Sequence, residues 1–352
     1  MLLHSKNENL NSFKDKKFLY VGSFFEGSTV NHRYHDLSEI FHNIDLVNLN
    51  DFFPSYKRGL ISIWRRLGFG LPYIRLKSCL TQKIIEFEPE IIFFDKSLYL
   101  PHVFLNRLNE KGIILFHYSN DDQINPNNQT QYYINSLKFY KSHFTTKSYN
   151  VPELQKLGAL NVIFVNNATS SYYIKPIDVS EADKIEYGSR VGFIGTYEKE
   201  RAKSLLYLAE NGIKVRIWGL GWINKTKHPN LLIENKALWG EEYLKAICST
   251  DINLNFLRKE NRDFQTTRSI EIPACKAFML AEHSIEHEML FEDKAEAVFF
   301  KSNKSLLNEI RYYLSNDLKR TEIAINGYQK CISNGYYYST IFEREFSKIF
   351  HK

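Results

Sequence analysis

Short apolar stretches alternate with longer amphipathic segments through the first half of the chain. Four or five apolar residues bounded by charged or turn residues predict a strand, as in Lys17–Val21 and Glu90–Phe94. The other strands predicted in this half are Asp45–Leu49, Ile113–His117, His143–Thr146 and Val162–Val165. Helices are predicted between them. Strands that are apolar throughout are typical of a parallel sheet covered by helices on both faces.

A polar stretch, Tyr173–Gly188, interrupts this alternation, which then begins again. The second half predicts strands at Arg190–Ile194, Val215–Trp218, Ile252–Phe256 and Ala277–Ala281. The sequence therefore predicts an α/β fold with two Rossmann-like, doubly wound domains, residues 1–180 and residues 181–336. An amphipathic helix is predicted at the end, and residues 337–352 are expected to return to the first domain. The two domains are either unrelated units or two lobes that face one cleft.

Length and composition fit two globular domains. The chain has 352 residues, of which 43% are hydrophobic and 24% charged. No apolar run approaches the ~20 residues that span a bilayer, and residues 1–17 lack a signal-peptide core, so we expect a cytoplasmic protein. The four cysteines are far apart, which argues against a zinc site or a disulfide framework. The net charge of +6 favours anionic ligands, and without a nucleic-acid-binding fingerprint we expect no nucleic-acid partner.

The segment 261–282 concentrates residues suited to a nucleotide. Its candidates are Asp263, as a catalytic carboxylate, and Thr266, Thr267, Arg268 and Glu271, as nucleotide-binding residues. Hydroxyls and an arginine at a helix start suit a phosphate, because free N–H groups and the helix dipole point towards it. A carboxylate one turn later can accept hydrogen bonds from ribose hydroxyls. The competing interpretation is a helix cap, a solvated arginine and a first-turn carboxylate. Pro273 predicts that this helix is short or kinked.

Four loops follow predicted strands or precede a predicted helix in the second domain. They supply six candidates for donor binding, which are Gly195, Thr196, Gly219, Trp239, Arg258 and Lys259. The glycines let backbone approach a ligand, the tryptophan can hold a base, and the two cations can neutralise a departing diphosphate. Tight turns, domain packing and a solvated basic loop are the alternative interpretations. Trp218 lies inside a predicted strand, so we expect it in the core.

The first domain offers candidates for acceptor binding and proton transfer. They are Gly22, Ser23, His32 and His117 on the acceptor side, and Asp121 and Asp122 as catalytic carboxylates. The aspartate pair follows a predicted strand, and a general base for an acceptor hydroxyl would belong on this domain. For either aspartate alone, an Asx turn or a helix cap is the more frequent role.

Residues 53–80 form a basic segment with isoleucine, leucine and aromatic residues interspersed. This composition suits a helix that lies on the inner face of a membrane and presents a lipid-linked acceptor. An ordinary surface helix with a basic face is the favoured interpretation.

Motifs of the second half, taken in order, resemble the CgeB-like glycosyltransferases, also called spore-maturation-protein-B-like. They are Gly192–Glu198, Ile217–Trp222, Asn253–Lys259, Asn261–Asp263, Thr266–Cys275 and Phe278–Glu282. In the first half, Asn120–Asp122 and Thr145–Lys147 look similar to the family. The resemblance implies the GT-B fold, in which two domains face a cleft. It also implies a nucleotide-sugar donor on the second domain, no essential metal and no cofactor.

The resemblance further implies roles for single residues. The spacing of Asp263 and Glu271 is similar to the paired acids of the large retaining glycosyltransferase group, where the second acid binds ribose and the first lies near the donor sugar. The basic residues Arg258, Lys259 and Arg268 would then contact phosphates.

Three departures from the family pattern leave the sugar and the retaining outcome open. Lys276 stands where glycine is usual, Gln265 stands where histidine is frequent, and position 263 has aspartate in place of glutamate.

We therefore expect a metal-independent hexosyl- or pentosyltransferase that uses a nucleotide sugar and a glycan, lipid-linked or protein acceptor. Its expected setting is the synthesis of surface polysaccharide or another glycoconjugate. One alternative is a nucleotide-sugar epimerase of the same architecture, which would turn over the donor without an acceptor. The other is a non-catalytic coat or glycan-binding protein that keeps the fold.

Overall fold

The computed structural model describes residues 13–53, 70–96 and 100–351. Its first sheet contains the parallel strands β1 (Lys17–Gly22), β2 (Asn43–Asn48), β3 (Ile91–Asp95), β4 (Ile114–Ser119), β5 (Ser142–Thr145) and β6 (Val162–Phe164). Their order is β2-β1-β3-β4-β5-β6. The order reverses between β1 and β3, which are hydrogen-bonded neighbours. A crevice therefore opens at the carboxyl ends of these two strands.

The second sheet contains the parallel strands β7 (Ser189–Ile194), β8 (Val215–Trp218), β9 (Leu231–Ile233), β10 (Thr250–Asn255), β11 (Met279–Glu282) and β12 (Val298–Phe300). Their order is β12-β11-β10-β7-β8-β9, which places the reversal between β7 and β10. Ligands of doubly wound sheets bind outside the carboxyl ends of the strands at such a reversal. The prediction of two doubly wound α/β domains is confirmed.

Helices cover both faces of each sheet. Those that accompany the first sheet are α1 (Thr29–Ile40), α2 (Leu71–Phe87), α3 (His102–Glu110), α4 (Gln131–Ser136) and α5 (Asn150–Lys156). Those that follow are α6 (Glu181–Tyr187), α7 (Lys199–Glu210), α8 (Gly240–Cys248), α9 (Arg268–Ala274), α10 (Ile285–Leu290), α11 (Asn303–Leu314), α12 (Asp317–Ser333) and α13 (Tyr338–Phe350).

Alternate residues of each central strand pack on opposite layers. In β1, Leu19 joins a buried cluster with Leu76 of α2, whereas Phe18 joins a separate cluster with Phe346 of α13. All five residues of β3 are buried. Strands enclosed on both faces are apolar throughout, which explains why their sequences are continuous rather than alternating.

The last helix, α13, packs on the first sheet. The ring centroid of Phe346 lies 5.1 Å from that of Phe116 and 5.3 Å from that of Phe41. The backbone N–H of Tyr338 donates to the carbonyl of Thr169 at 2.9 Å, which fixes where the chain returns.

Five elements are absent from the sequence prediction. They are the strands β9 and β12 and the helices α6, α10 and α12. Each of the two strands has only three residues, too few to show a period. The stretch predicted as a linker contains α6, which begins with a capping box between Ser180 and Asp183.

Within the described ranges, no helix combines the length and the apolar character needed to cross a bilayer. Of the basic segment 53–80, residues 54–69 lie outside the described residues. The rest enters α2, which buries Leu76 and Leu80 and exposes Ile74 and Ile85. Membrane contact by this segment stays a prediction.

Candidate active site in the interdomain cleft

Two adjoining cavities lie between the domains. The first, called the polar cavity, has a volume of about 140 Å³ and its charged lining residues are Asp121, Lys147, Arg201, Arg258, Asp263 and Arg268. The second, called the aromatic cavity, has a volume of about 390 Å³ and is lined by His32, Tyr173, Leu238, Trp239, Tyr243 and Glu271, among others. Thr267 and Arg268 line both cavities. The start of α9 is therefore the junction of a two-part cleft.

A buried hydrogen-bond network fixes the start of α9. The Thr266 hydroxyl donates to Asn255 Oδ1 at 3.1 Å, and the Thr266 N–H donates to Ser269 Oγ at 2.9 Å. Burial lowers the pKa of His287 to about 4, so its neutral ring can accept the Ser269 hydroxyl proton at Nε2, 2.7 Å away. Because these contacts occupy the Thr266 hydroxyl, Thr267 is the threonine whose hydroxyl is left for a ligand.

Arg268 presents an unpaired cation at the junction. Its side chain is half-buried, and Nε is buried without a hydrogen-bond partner. No ion pair of Arg268 occurs among the residues that the structure describes. A buried donor without a partner is costly, so this guanidinium is suited to an anionic ligand that reaches across both cavities.

Glu271 points its carboxylate into the aromatic cavity from the first turn of α9. The Tyr243 hydroxyl donates to Oε2 at 2.6 Å, and the residue is only 6% exposed. Burial, and then the charge of Glu271, raises the pKa of Tyr243, so the phenol stays protonated and keeps donating. No described residue donates to Oε1, which leaves one carboxylate oxygen to accept from a ligand hydroxyl.

Flat aromatic groups from both domains form the rest of this cavity. Trp239 is 43% exposed, and its ring lies so close to Gly27 that a Cβ there would come within 1.9 Å of it. His32 stacks on Tyr173 with ring centroids 4.5 Å apart and planes 4° apart. Burial, and then the charge of Arg33, lowers the pKa of His32 to about 4. The Nδ1 atom of His32 is buried and has no hydrogen-bond partner among the residues that the structure describes. The cavity therefore offers uncharged rings and one free nitrogen.

Positive charge dominates the polar cavity. Four basic and two acidic side chains line it, which gives a formal net charge of +2. Arg258 Nε lies 2.8 Å from Glu198 Oε1, and Arg201, 6% exposed, pairs with the same carboxylate, Nη2 to Oε2 at 3.2 Å, while its Nε has no hydrogen-bond partner among the described residues. Burial lowers the pKa of Arg201 to about 10, so the side chain remains charged at neutral pH.

A buried ion pair crosses the cleft between Lys147 of the first domain and Asp263 of the second. The Lys147 Nζ lies 2.5 Å from Asp263 Oδ1, and the side chains are 2% and 3% exposed. Asn261 Nδ2 donates to the same oxygen at 2.7 Å. Burial raises the pKa of Asp263, against the opposing effects of Lys147 and Asn261.

The predicted catalytic pair Asp121 and Asp122 divides between two roles. Asp121 lines the polar cavity and pairs with Lys96 at 2.8 Å. Burial alone would raise its pKa, but the charge and hydrogen bond of Lys96, together with the charges of Lys147 and Arg258, outweigh burial, and the pKa of Asp121 is lowered. Asp122 instead holds Arg262 of the second domain, at 2.6 Å and 2.8 Å, and also accepts from Asn150. Its oxygens are thus occupied, and Asp122 ties the domains together.

Several candidates of the second domain lie outside both cavities. The N–H of Gly195 donates to the carbonyl of Trp218, so it is not free for phosphate, and Thr196 is exposed. Gly219 has a φ of +133°, and a Cβ there would lie 2.1 Å from the Gly195 carbonyl oxygen. Both glycines therefore serve close packing of two loops. Lys259 pairs with Glu282 at 2.5 Å, away from the cleft cavities.

Of the acceptor-side candidates, only His32 lines one of the two cavities. Gly22 ends β1, where a Cβ would meet the ring of Tyr20 at 2.8 Å, and the Ser23 carbonyl accepts from Ser28 Oγ at 3.1 Å. Neither lines the two cavities. His117 is fully buried against Tyr133, and burial lowers its pKa well below the usual value, so it is a neutral core residue.

Sequence reasoning missed Lys147, Arg201 and Tyr243 as parts of the cleft. Lys147 carries a usable signal, because it follows a predicted strand at the same sheet edge as Asp121. Arg201 and Tyr243 lie inside the amphipathic helices α7 and α8, where nothing in the pattern distinguishes them from other helical positions.

Known proteins show where this architecture recurs. A family model described as glycosyl transferase-like matches residues 200–344. Sucrose-phosphate synthase from Thermosynechococcus elongatus is similar with a TM-score of 0.66 and 9% identity, over 96% of this chain and 100% of that chain. The chain has the GT-B fold.

Two other structures extend the comparison. HepE of Anabaena in complex with UDP-glucose has a TM-score of 0.62 at 12% identity, over 95% of this chain and 100% of that chain. A putative UDP-N-acetylglucosamine 2-epimerase from Listeria monocytogenes has a TM-score of 0.58 at 10% identity, over 95% of this chain and 96% of that chain. No curated protein sequence matches the chain. At such identities the likeness concerns the GT-B architecture alone.

Proposed function

We propose that the protein is a glycosyltransferase that takes its sugar from a nucleoside-diphosphate donor. The observation that carries this proposal is the two-part cleft, with a cavity of net charge +2 joined to an aromatic cavity at the unpaired Arg268. A diphosphate needs the positive charge and a nucleoside needs the aromatic walls. The matched family model supports the same assignment, since it covers α9 and the loops beside it. Membership of the CgeB-like family belongs to this proposal and rests on the ordered motifs.

Each part of the donor has a proposed partner. The base would lie against Trp239 and the His32–Tyr173 stack, and the ribose hydroxyls would donate to Glu271 Oε1. The diphosphate would bind Arg268 at the junction. Because these groups are already in place, they would offset the charge that develops on the departing diphosphate without reorganisation.

The transfer step follows from this placement. The bond between the sugar C1 and the diphosphate oxygen breaks, an acceptor oxygen forms the new bond to C1, and the nucleoside diphosphate leaves with the electron pair. Asp121 is the proposed general base, because it is ionised and lines the polar cavity on the acceptor side. The acceptor would be a glycan, a lipid-linked sugar or a protein hydroxyl, and neither a metal nor a cofactor is proposed.

A binding panel tests the donor site. Folded protein is titrated with UDP, GDP, ADP, UDP-glucose and related nucleotide sugars, and the melting temperature and the dissociation constant are measured. Arg268→Ala should weaken binding of the preferred nucleotide about 10- to 100-fold, the range for a lost charge-assisted hydrogen bond. Lys259→Ala is the matched control, because this cation of the same segment pairs with Glu282 outside the cavities. Absence of binding by every nucleotide, with the protein folded, would refute the proposal.

Turnover distinguishes the enzyme from its alternatives. A transferase consumes donor in proportion to added acceptor, whereas an epimerase, the activity named for the Listeria structure, converts the donor sugar alone. A non-catalytic binding protein would bind nucleotide without either reaction. Mass spectrometry of the nucleotide sugar and of the acceptor decides among the three.

A further inference from the structure

Two buried amide atoms from the first domain lie unsatisfied at the wall of the polar cavity. Asn120 follows β4 directly, and Asn167 lies shortly after β6. Both residues line the polar cavity. Among the described residues, Asn120 Oδ1 and Asn167 Nδ2 are buried without a hydrogen-bond partner, although Asn167 is only 2% exposed. Most buried polar atoms in proteins have a hydrogen-bond partner, so these two unpartnered atoms indicate that a ligand binds here.

The chemistry of the two atoms restricts that ligand. Asn167 Nδ2 can only donate, whereas Asn120 Oδ1 can only accept. A phosphate or carboxylate oxygen could satisfy the donor but offers no proton to the acceptor. Sugar hydroxyls satisfy both atoms, since each hydroxyl donates one hydrogen bond and accepts others.

The charges near these amides favour the same ligand. The lining cation of the first domain, Lys147, is already neutralised by Asp263, and Lys96, which does not line the cavity, pairs with Asp121. Spare positive charge lies instead on the second domain, at Arg268. A diphosphate is therefore drawn to the second domain, and the group beyond it meets the uncharged amides of the first.

We propose that Asn120 and Asn167 read the glycosyl group of the donor, and that this group is a neutral sugar with free hydroxyls rather than a hexuronic acid. This inference rests on the proposed function and adds the class of sugar and two residues that determine it. In this arrangement Asn120 and Asn167 contact the sugar, and the nucleoside binds in the aromatic cavity.

The test compares the nucleotide with and without its sugar. The dissociation constants of UDP, UDP-glucose and UDP-glucuronate, or their counterparts with the base that the panel selects, are measured for the unmodified protein and for two variants. Asn167→Ala and Asn120→Ala should each weaken UDP-glucose binding about 3- to 10-fold and leave UDP unchanged, as expected for one lost hydrogen bond. The unmodified protein should bind UDP-glucuronate at least about 10-fold more weakly than UDP-glucose, because Lys147, the cation that the first domain contributes to this cavity, is already paired with Asp263 and leaves the sugar carboxylate without a counter-charge.

Controls keep the outcomes separable. Asn167→Ala removes an amide nitrogen that has no protein partner, so the folded state should lose nothing there. Asn161→Ala removes an amide that donates to Ser142 Oγ at 2.8 Å, away from the cleft, and should change no affinity. Equal weakening of UDP and UDP-glucose, or equal affinity for glucose and glucuronate donors, would overturn the inference and leave the proposed function standing. If no nucleotide binds at all, it is the proposed function that fails, and the inference fails with it.

Discussion

The buried pair Lys147–Asp263 should show strong energetic coupling between the two domains. We predict that Lys147→Met and Asp263→Asn each destabilise the protein, whereas the double substitution restores most of the loss. Each single change leaves one uncompensated charge among side chains that are 2% and 3% exposed. The double change leaves no buried charge, and the amide oxygen introduced at position 263 can still accept from Asn261.

The magnitude follows from the distance and the burial. At an effective dielectric constant near 20, two unit charges 2.5 Å apart attract by about 7 kcal/mol. Removing both ions from water costs several kcal/mol each, so the net contribution of the pair is small. Breaking it by one substitution costs about 3–5 kcal/mol, because the remaining charge stays buried. The double variant should lie within about 2 kcal/mol of the unmodified protein, since uncharged replacements of buried pairs are often neutral.

Urea denaturation followed by tryptophan fluorescence and far-ultraviolet circular dichroism measures these free energies of unfolding. Coincidence of the two probes checks that unfolding is a single transition. Lys16–Glu90 is the matched control, an ion pair 2.7 Å apart whose side chains are 29% and 49% exposed. The same cycle there should give coupling below about 1 kcal/mol. Additive single effects of less than about 1 kcal/mol at Lys147 and Asp263 would refute the reasoning.

Two further predictions concern stability. Phe346→Ala should lower the free energy of unfolding by about 3–5 kcal/mol, because this fully buried ring anchors α13. Phe350→Ala, at a half-buried position, should lower it by less in the same denaturation assay. Acidification should destabilise the protein between pH 6.5 and pH 4. Burial lowers the pKa of His117 and lowers that of His143 to about 4, so in this window only the unfolded chain takes up protons at these two residues. Each such histidine lowers the free energy of unfolding by up to about 1.4 kcal/mol for each pH unit in this window. His117→Leu should therefore reduce the dependence of the free energy of unfolding on pH. Parallel pH profiles for the variant and the unmodified protein would contradict this explanation.

The fold was largely predictable from the sequence because strands enclosed on both faces leave a strong signal. The apolar runs at Phe18–Val21 and Ile91–Phe94 admit few alternatives once helical segments flank them. β9 and β12 were not predictable, since three residues carry no period and their place at the sheet edges depends on long-range pairing. The return of α13 to the first sheet was expected from the sequence, but the contacts that fix it, such as Arg33 with Tyr338, join residues far apart in the chain.

The site was predictable in part, for a different reason. Arg268, Glu271 and Trp239 line the aromatic cavity, and the sequence could select them because ligands of doubly wound sheets bind at strand ends and helix starts. The sequence could not show which polar atoms are already occupied by the protein itself. The N–H of Gly195 donates to the carbonyl of Trp218, and Lys259 forms an ion pair with Glu282. Such pairings become visible only in the folded structure.

The same distinction decides what the four acidic candidates can do. Two of them hold the domains together, since Asp122 binds Arg262 and Asp263 binds Lys147 across the cleft. A carboxylate that already neutralises a cation of the opposite domain can contact a substrate only by weakening that link. Glu271 keeps one free oxygen in the aromatic cavity, and Asp121 faces the polar cavity from the acceptor side. In the proposed transfer these two carboxylates would act directly, Glu271 on the donor and Asp121 as the base that receives a proton, whereas Asp122 and Asp263 would act by linking the domains that line both cavities.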